Sequence, residues 1–321
     1  MKDIPILVFI CFLTFFYVRA ESSKDYLKRE HSLIKPYQGT GMMVPFWDFS
    51  GSTLVTPNLV RITPDQQSKQ GSLWNSVPCT VPSWEMQVQF KIHGHGKELF
   101  GDGMAIWYAK ERMQSGPVFG NQDYFHGLVV IIDTYSNHNG EHNHQHPYIS
   151  AMINNGTLHY DHDKDGTHTE LAGCEAKLRN VFYDTNIAIR YEQDTLTVFS
   201  DVENKGEWKE CFKVNGVKLP TGYYFGVSAA TGDLSDNHDI ISLRLFELDS
   251  SDIVEDRSKI LPSALKYDAP RERVEDVKPA WSGTKTFFIM LLGAILLIGV
   301  AVGAVYAYQQ HQTNSRKRFY Y

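Results

Sequence analysis

From about Leu27 to Phe246 the chain reads as strand after strand, with no amphipathic helix of any length between them. Trp84, Met86, Val88, Phe90 and Ile92 alternate with Glu85, Gln87, Gln89 and Lys91, the period-2 pattern of a strand with one buried and one wet face. Leu128 to Ile132 is a continuous apolar run, which suits a strand covered on both faces. Further strands are expected at Asn186 to Tyr191, Thr195 to Ser200, Tyr223 to Ser228 and Ile240 to Phe246. Asn154-Asn155-Gly156-Thr157, between Tyr148 to Ile153 and Leu158 to Tyr160, predicts a hairpin, because Asn-Gly accepts the positive φ of a tight turn. Many short strands without helical crossovers imply an all-β, two-sheet sandwich.

The chain ends frame that domain. Ile4 to Val18 is an apolar stretch too short to span a bilayer comfortably, and Val18-Arg19-Ala20 offers small residues for cleavage, so 1–20 reads as a signal peptide. Phe287 to Tyr308 carries no charge, and at about 1.5 Å per residue it is long enough to cross a membrane as a helix. Arg316, Lys317 and Arg318 follow, which places the tail in the cytosol and the body in the lumen, a type I topology. The expected organisation is a lumenal domain over 21–249, a proline-punctuated stalk over 250–285, a transmembrane helix over 286–308 and a cytosolic tail over 309–321. A net charge of −6 and the lack of a Lys/Arg cluster in the body argue against nucleic acid as a partner.

Of four cysteines, Cys11 leaves with the leader. Cys174 and Cys211 flank a stretch of strands, whereas Cys79 lies far upstream, so in an oxidising lumen the first two are expected to pair. Cys79 is then a buried thiol or a link to a second chain. Asn155-Gly156-Thr157 is the one N-glycosylation sequon.

Oxygen-bearing residues recur at strand ends: Gly101-Asp102-Gly103, Asp133 to Asn137, Asp161 to Gly166 and Gly232-Asp233-Leu234. Calcium takes six to eight hard oxygens, and two carboxylates roughly neutralise it. Asp133 and Asn137 lie four apart after a buried strand, with the Tyr135 carbonyl between them, and Asp165 can close the shell. The bland alternative is that these residues cap loops. Asp161 to Gly166 mimics the start of an EF-hand, but the required twelfth-position Glu falls on Ala172, so that motif is rejected. His138, His142, His144 and His146 crowd the neighbouring loop at spacings that could build a zinc or copper site, or that simply mark a solvated loop.

Trp47-Asp48-Phe49, Ser68 to Trp74, Gly101 to Tyr108, Leu171 to Cys174, Thr221 to Gly226 and Ala230 to His238 together resemble the legume-type (L-type) lectins of the animal secretory pathway. The resemblance covers nearly everything after the leader. It implies a concanavalin-like sandwich that binds α-mannose of high-mannose N-glycans and carries glycoprotein cargo between endoplasmic reticulum and Golgi. It implies calcium on Asp133, the Tyr135 carbonyl, Asn137 and Asp165, and sugar on Ser68, Asp102, Asn137, His162, Gly232, Asp233 and Leu234. The aromatic end Phe319-Tyr320-Tyr321 is similar to the family's coat-binding export tails. A glycosidase on the same fold is the rival from another class, but its Glu-x-Asp-x-x-Glu strand has only Glu247-Leu248-Asp249-Ser250-Ser251-Asp252 to match it here, without the last Glu. A protein-binding sandwich with structural calcium is the other.

Overall fold

The computed structural model describes residues 26–37, 43–137, 144–249, 256–264 and 283–317. The leader 1–20, His138 and His142, and the tail residues Phe319, Tyr320 and Tyr321 lie outside them. Two antiparallel sheets face each other. One runs Lys209–Asn215, Thr195–Asp201, Thr185–Glu192, Trp84–His93, Asn237–Glu247, Val60–Thr63 and Leu54–Val55, with Leu27–Leu33 also paired to Asn237–Glu247. The other runs Ala172–Glu175, Tyr148–Asn155, His126–Asp133, Gly103–Ala109, Tyr224–Ala230, Gln70–Asn75 and Trp47–Gly51. The all-β sandwich expected from the strand series is therefore the observed architecture.

The residues explain the layers. In Trp84–His93 burial alternates from Met86 onward, as its apolar alternation demands. In Gly103–Ala109 every residue is buried, and in His126–Asp133 all but the first, because these strands are covered on both faces. One face meets the inter-sheet core, where Trp84, Tyr108 and Phe225 pack with centroids 4.9 to 5.3 Å apart. The other face carries a second apolar cluster of Trp74, Trp107, Phe119, Phe125 and Tyr160. Cys174 and Cys211 form a disulfide with Cα atoms 5.4 Å apart, joining the edge strands of the two sheets. In the chain-entropy view, closing that loop stabilises the fold by about 4 kcal/mol. Cys79 is buried and free, and burial pushes its thiol up to about 12.

One local expectation fails. The chain does not return as a hairpin after Asn155, and Leu158 to Tyr160 form no strand. The Asn154 Oδ1 accepts the N–H groups of Gly156, Thr157 and Leu158, and its Nδ2 donates to the Leu158 carbonyl. That side chain consumes the backbone groups a returning strand would have paired, and Tyr160 N–H goes to Asp123 instead. The sequon residue Asn155 remains at the exposed end of its strand.

Beyond the sandwich, Asp256 caps a short 3-10 turn, Arg257–Lys259, and Ser263–Ala264 pairs with Val217–Lys218. This stretch of the expected stalk is thus strapped to the domain, with Arg257 bonded to Tyr191 and Asp194. A separate unit contains the helix Gly283–Lys317, whose segment Met290–Gln310 is long and apolar enough to cross a membrane.

Candidate functional site

The buried strand His126–Asp133 ends on Asp133, whose side chain is almost wholly enclosed. Its Oδ1 accepts the Tyr135 N–H at 3.1 Å, and its Oδ2 has no hydrogen-bond partner. Asp165 closes the 3-10 turn His162–Lys164 in the left-handed region, φ 46°, and is also buried. Its Oδ1 accepts the Asn137 N–H at 3.0 Å, which ties the segment after the strand to the turn. The Asn137 Oδ1 is buried without a partner. Burial pushes the Asp133 carboxyl well up, and the neighbouring Asp165 and Asp102 push it in the same direction.

Two adjacent buried carboxylates with an orphaned amide oxygen beside them are an arrangement that neutral protein interiors avoid. A divalent cation with a flexible oxygen shell resolves it, so the residues present fit calcium. Asp133, Asn137 and Asp165 supply side-chain oxygens, and the Tyr135 carbonyl lies within the same short segment. His146 lies beside them: its side chain is 7% exposed, and Nε2 lies 4.0 Å from Asp133 Oδ2 and 3.9 Å from Asp165 Oδ2. The ligand atoms of these three residues all fall within 4.8 Å of one another. The resemblance did not assign His146; the only signal was the run of histidines ending before Pro147.

Asp102 lies alongside. Its carbonyl accepts from both the N–H and the hydroxyl of buried Thr134, each at 2.9 Å, which fixes it to the residue after Asp133. Burial pushes the Asp102 carboxyl up, while the neighbouring His162 draws it down and Asp233 raises it further. Glycines make the close approach possible. A Cβ on Gly103 would lie 2.4 Å from the Ile132 carbonyl oxygen, and one on Gly232 would lie 3.1 Å from Asp102 Oδ2. The His162 ring stands edge-on to Phe119, centroids 5.3 Å apart, and its Nδ1 is buried without a partner.

The Gly232-Asp233-Leu234 loop is braced from outside. The Ser68 N–H donates to the Gly232 carbonyl at 3.0 Å, and Gln67 Nε2 donates to the Asp233 carbonyl at 2.6 Å. Ser68 itself is held at φ 55° and is exposed. Just past the loop, Ser235 donates to Asp65, and buried Asp236 takes a two-pronged bond from Arg179 at 2.7 Å each. Asp65 and Arg179 carry no motif in the sequence; the fold brings them here. The structure therefore gathers every residue expected to bind ion or sugar around one group of loops.

A sandwich of two antiparallel sheets with ion and hydroxyl acceptors on neighbouring loops defines a lectin-type protein, and the chain belongs to the legume-like lectin family, whose model matches residues 24–255. It is 50% identical to VIP36-like protein of Mus musculus over 95% of this chain and 89% of that protein. It is 49% identical to Vesicular integral-membrane protein VIP36 of Homo sapiens over 94% and 87%. Among solved structures, the VIP36 exoplasmic/lumenal domain in its Ca2+/Man-bound form shares 57% identity with a TM-score of 0.72, covering 74% of this chain and 98% of that one.

Proposed function

We propose that this chain is a calcium-dependent lectin for α-mannose residues of high-mannose N-glycans, working as a membrane-anchored receptor for glycoprotein cargo between endoplasmic reticulum and Golgi. The observation that carries the reading is the juxtaposition of the buried, closely spaced acids Asp133 and Asp165 with Asp102 across Thr134. A relative 57% identical to this chain has been solved with Ca2+ and mannose together.

Asp133, the Tyr135 carbonyl, Asn137 and Asp165 would hold calcium, which supplies positive charge and fixed geometry to the loops around it. The ionised Asp102 accepts from vicinal sugar hydroxyls, while Asn137 and backbone N–H groups of the Gly232 loop donate. Gly232 leaves the space in which a hydroxyl reaches Asp102. His162, set by Phe119, lines the side nearest Asp102. In this reading the pocket acids are committed to ion and hydroxyls, which leaves no carboxyl pair for glycoside cleavage, so the chain binds rather than hydrolyses.

The helix Gly283–Lys317 anchors the domain, with the lectin domain lumenal and Phe319, Tyr320 and Tyr321 available to vesicle coat components in the cytosol. The test is binding of the detergent-solubilised chain to a high-mannose glycan array, with calcium, with chelator, and as Asp102→Asn. Binding that requires both calcium and Asp102 is expected. Binding that persists in chelator, or hydrolysis of a mannoside, would contradict the proposal.

A further inference from the structure

The calcium ligands implied by the family resemblance are all oxygens, yet an enclosed imidazole, His146, stands beside Asp133 and Asp165. Both carboxylates turn one oxygen to a backbone N–H, Tyr135 for Asp133 and Asn137 for Asp165. Both turn the other oxygen toward His146 Nε2, at 4.0 and 3.9 Å. Zinc binds nitrogen and carboxylate oxygen at about 2.0 to 2.2 Å, so two donors up to about 4.2 Å apart can share one ion. The observed separations fall inside that reach. His146 is held in place: its side chain is 7% exposed, and His144 beside it stacks on Tyr148 with ring centroids 3.8 Å apart and planes 14° from parallel. Backbone bonds to the outer carboxylate oxygens orient the donors as outer partners of metal sites do.

Calcium is a hard ion that gains little from an imidazole, whereas zinc and related borderline ions favour one. We propose that His146, Asp133 and Asp165 form a mixed nitrogen–oxygen seat that takes a zinc-class divalent ion in competition with calcium. The ion preference of this chain then depends on one side chain outside the set proposed above to contact sugar. The competition is exclusive, because both ions use the same inner oxygens of Asp133 and Asp165.

The test uses the full chain in detergent, stripped of metal and titrated with Zn2+ alone, with Ca2+ alone and with one against the other; Co2+ absorption reports nitrogen ligation. One Zn2+ per chain is expected to displace bound radioactive Ca2+. His146→Gln is expected to weaken Zn2+ at least about tenfold while its Ca2+ affinity stays within about threefold. Zn2+ that binds without displacing Ca2+ overturns the proposal, and that arm needs no variant. So does a His146→Gln chain that keeps its Ca2+ affinity and binds Zn2+ like the parent, since the ion would then sit elsewhere, such as on the histidines of 138–144. A parent that binds Ca2+ but no Zn2+ defeats this inference alone; a parent that binds neither defeats the calcium reading as well.

Discussion

Asp236 and Asp239 are as deeply buried as Asp133 and Asp165, but their charge is met inside the chain. Arg179 grips Asp236 with two bonds of 2.7 Å while stacking over Phe100 at 3.8 Å, and Arg61 grips Asp239 at 2.7 and 2.8 Å with His93 at 2.9 Å. Asp133 accepts the Tyr135 N–H, Asp165 accepts the Asn137 N–H, and each turns its other oxygen toward His146. Burial of a carboxylate costs the same desolvation in both regions. An arginine repays it permanently in one, a fixed brace; in the other, calcium held as proposed would contribute to the repayment, which would make that region switchable.

Arg179→Met should have the largest effect, because it leaves Asp236 buried and unpaired. About 3 to 5 kcal/mol of stability should be lost in chemical denaturation, and calcium should not restore it. A loss under about 1 kcal/mol would mean that the brace contributes little. Asp133→Asn should do the reverse: calcium affinity falls by about a hundredfold or more, yet the metal-free chain melts no lower than the metal-free parent. The sign follows from a carboxyl whose folded-state pKa is raised, which costs stability above its unfolded value. In the parent, calcium at a hundred times its Kd should add about 2.7 kcal/mol, and this increment should vanish in the variant.

The braced region also predicts a pH response. His238 is fully buried and bonded to Thr63 at 2.7 Å, and burial holds its pKa down to about 3, with His93 and Arg179 in the same direction and Asp239 and Asp65 opposing. The unfolded chain binds that proton near 6.5, so stability is full above 6.5 and falls as pH drops toward 3. Between pH 6.5 and 4.5 the loss from this group alone is about 2 to 3 kcal/mol. Denaturation at both pH values, repeated with His238→Gln, isolates it; an unchanged slope would remove His238 as the cause. The smallest effect is the most discriminating. Gly232→Ala places a methyl against Asp102 and should weaken mannoside binding about tenfold, or about 1.4 kcal/mol, while leaving calcium affinity unchanged.

Legibility in the sequence followed the range of the interaction. That Asp133 and Asn137 lie together at one strand end could be read, because their spacing is a local pattern. The alternation of Trp84 to Ile92 and the apolar run Leu128 to Ile132 gave the sandwich for the same reason. Arg179 and Asp236 could not be read, because 57 positions separate them and only the fold decides that they meet. The hairpin after Asn155 failed because the Asn154 side chain competes for backbone N–H groups, a choice that turn propensity does not resolve. His146 stood in plain view among exposed-looking histidines, and only the fold shows that its side chain is enclosed between two acids.

If the switchable acids build the sugar pocket, ion and sugar must be linked in both directions. The deciding measurement is the calcium affinity of the full chain, by titration calorimetry, with and without saturating high-mannose glycan. Glycan should tighten calcium by the same factor by which calcium tightens glycan, on the order of tenfold or more. A calcium affinity that is indifferent to glycan would contradict the account, leaving the ion as a structural brace no different in kind from Arg179.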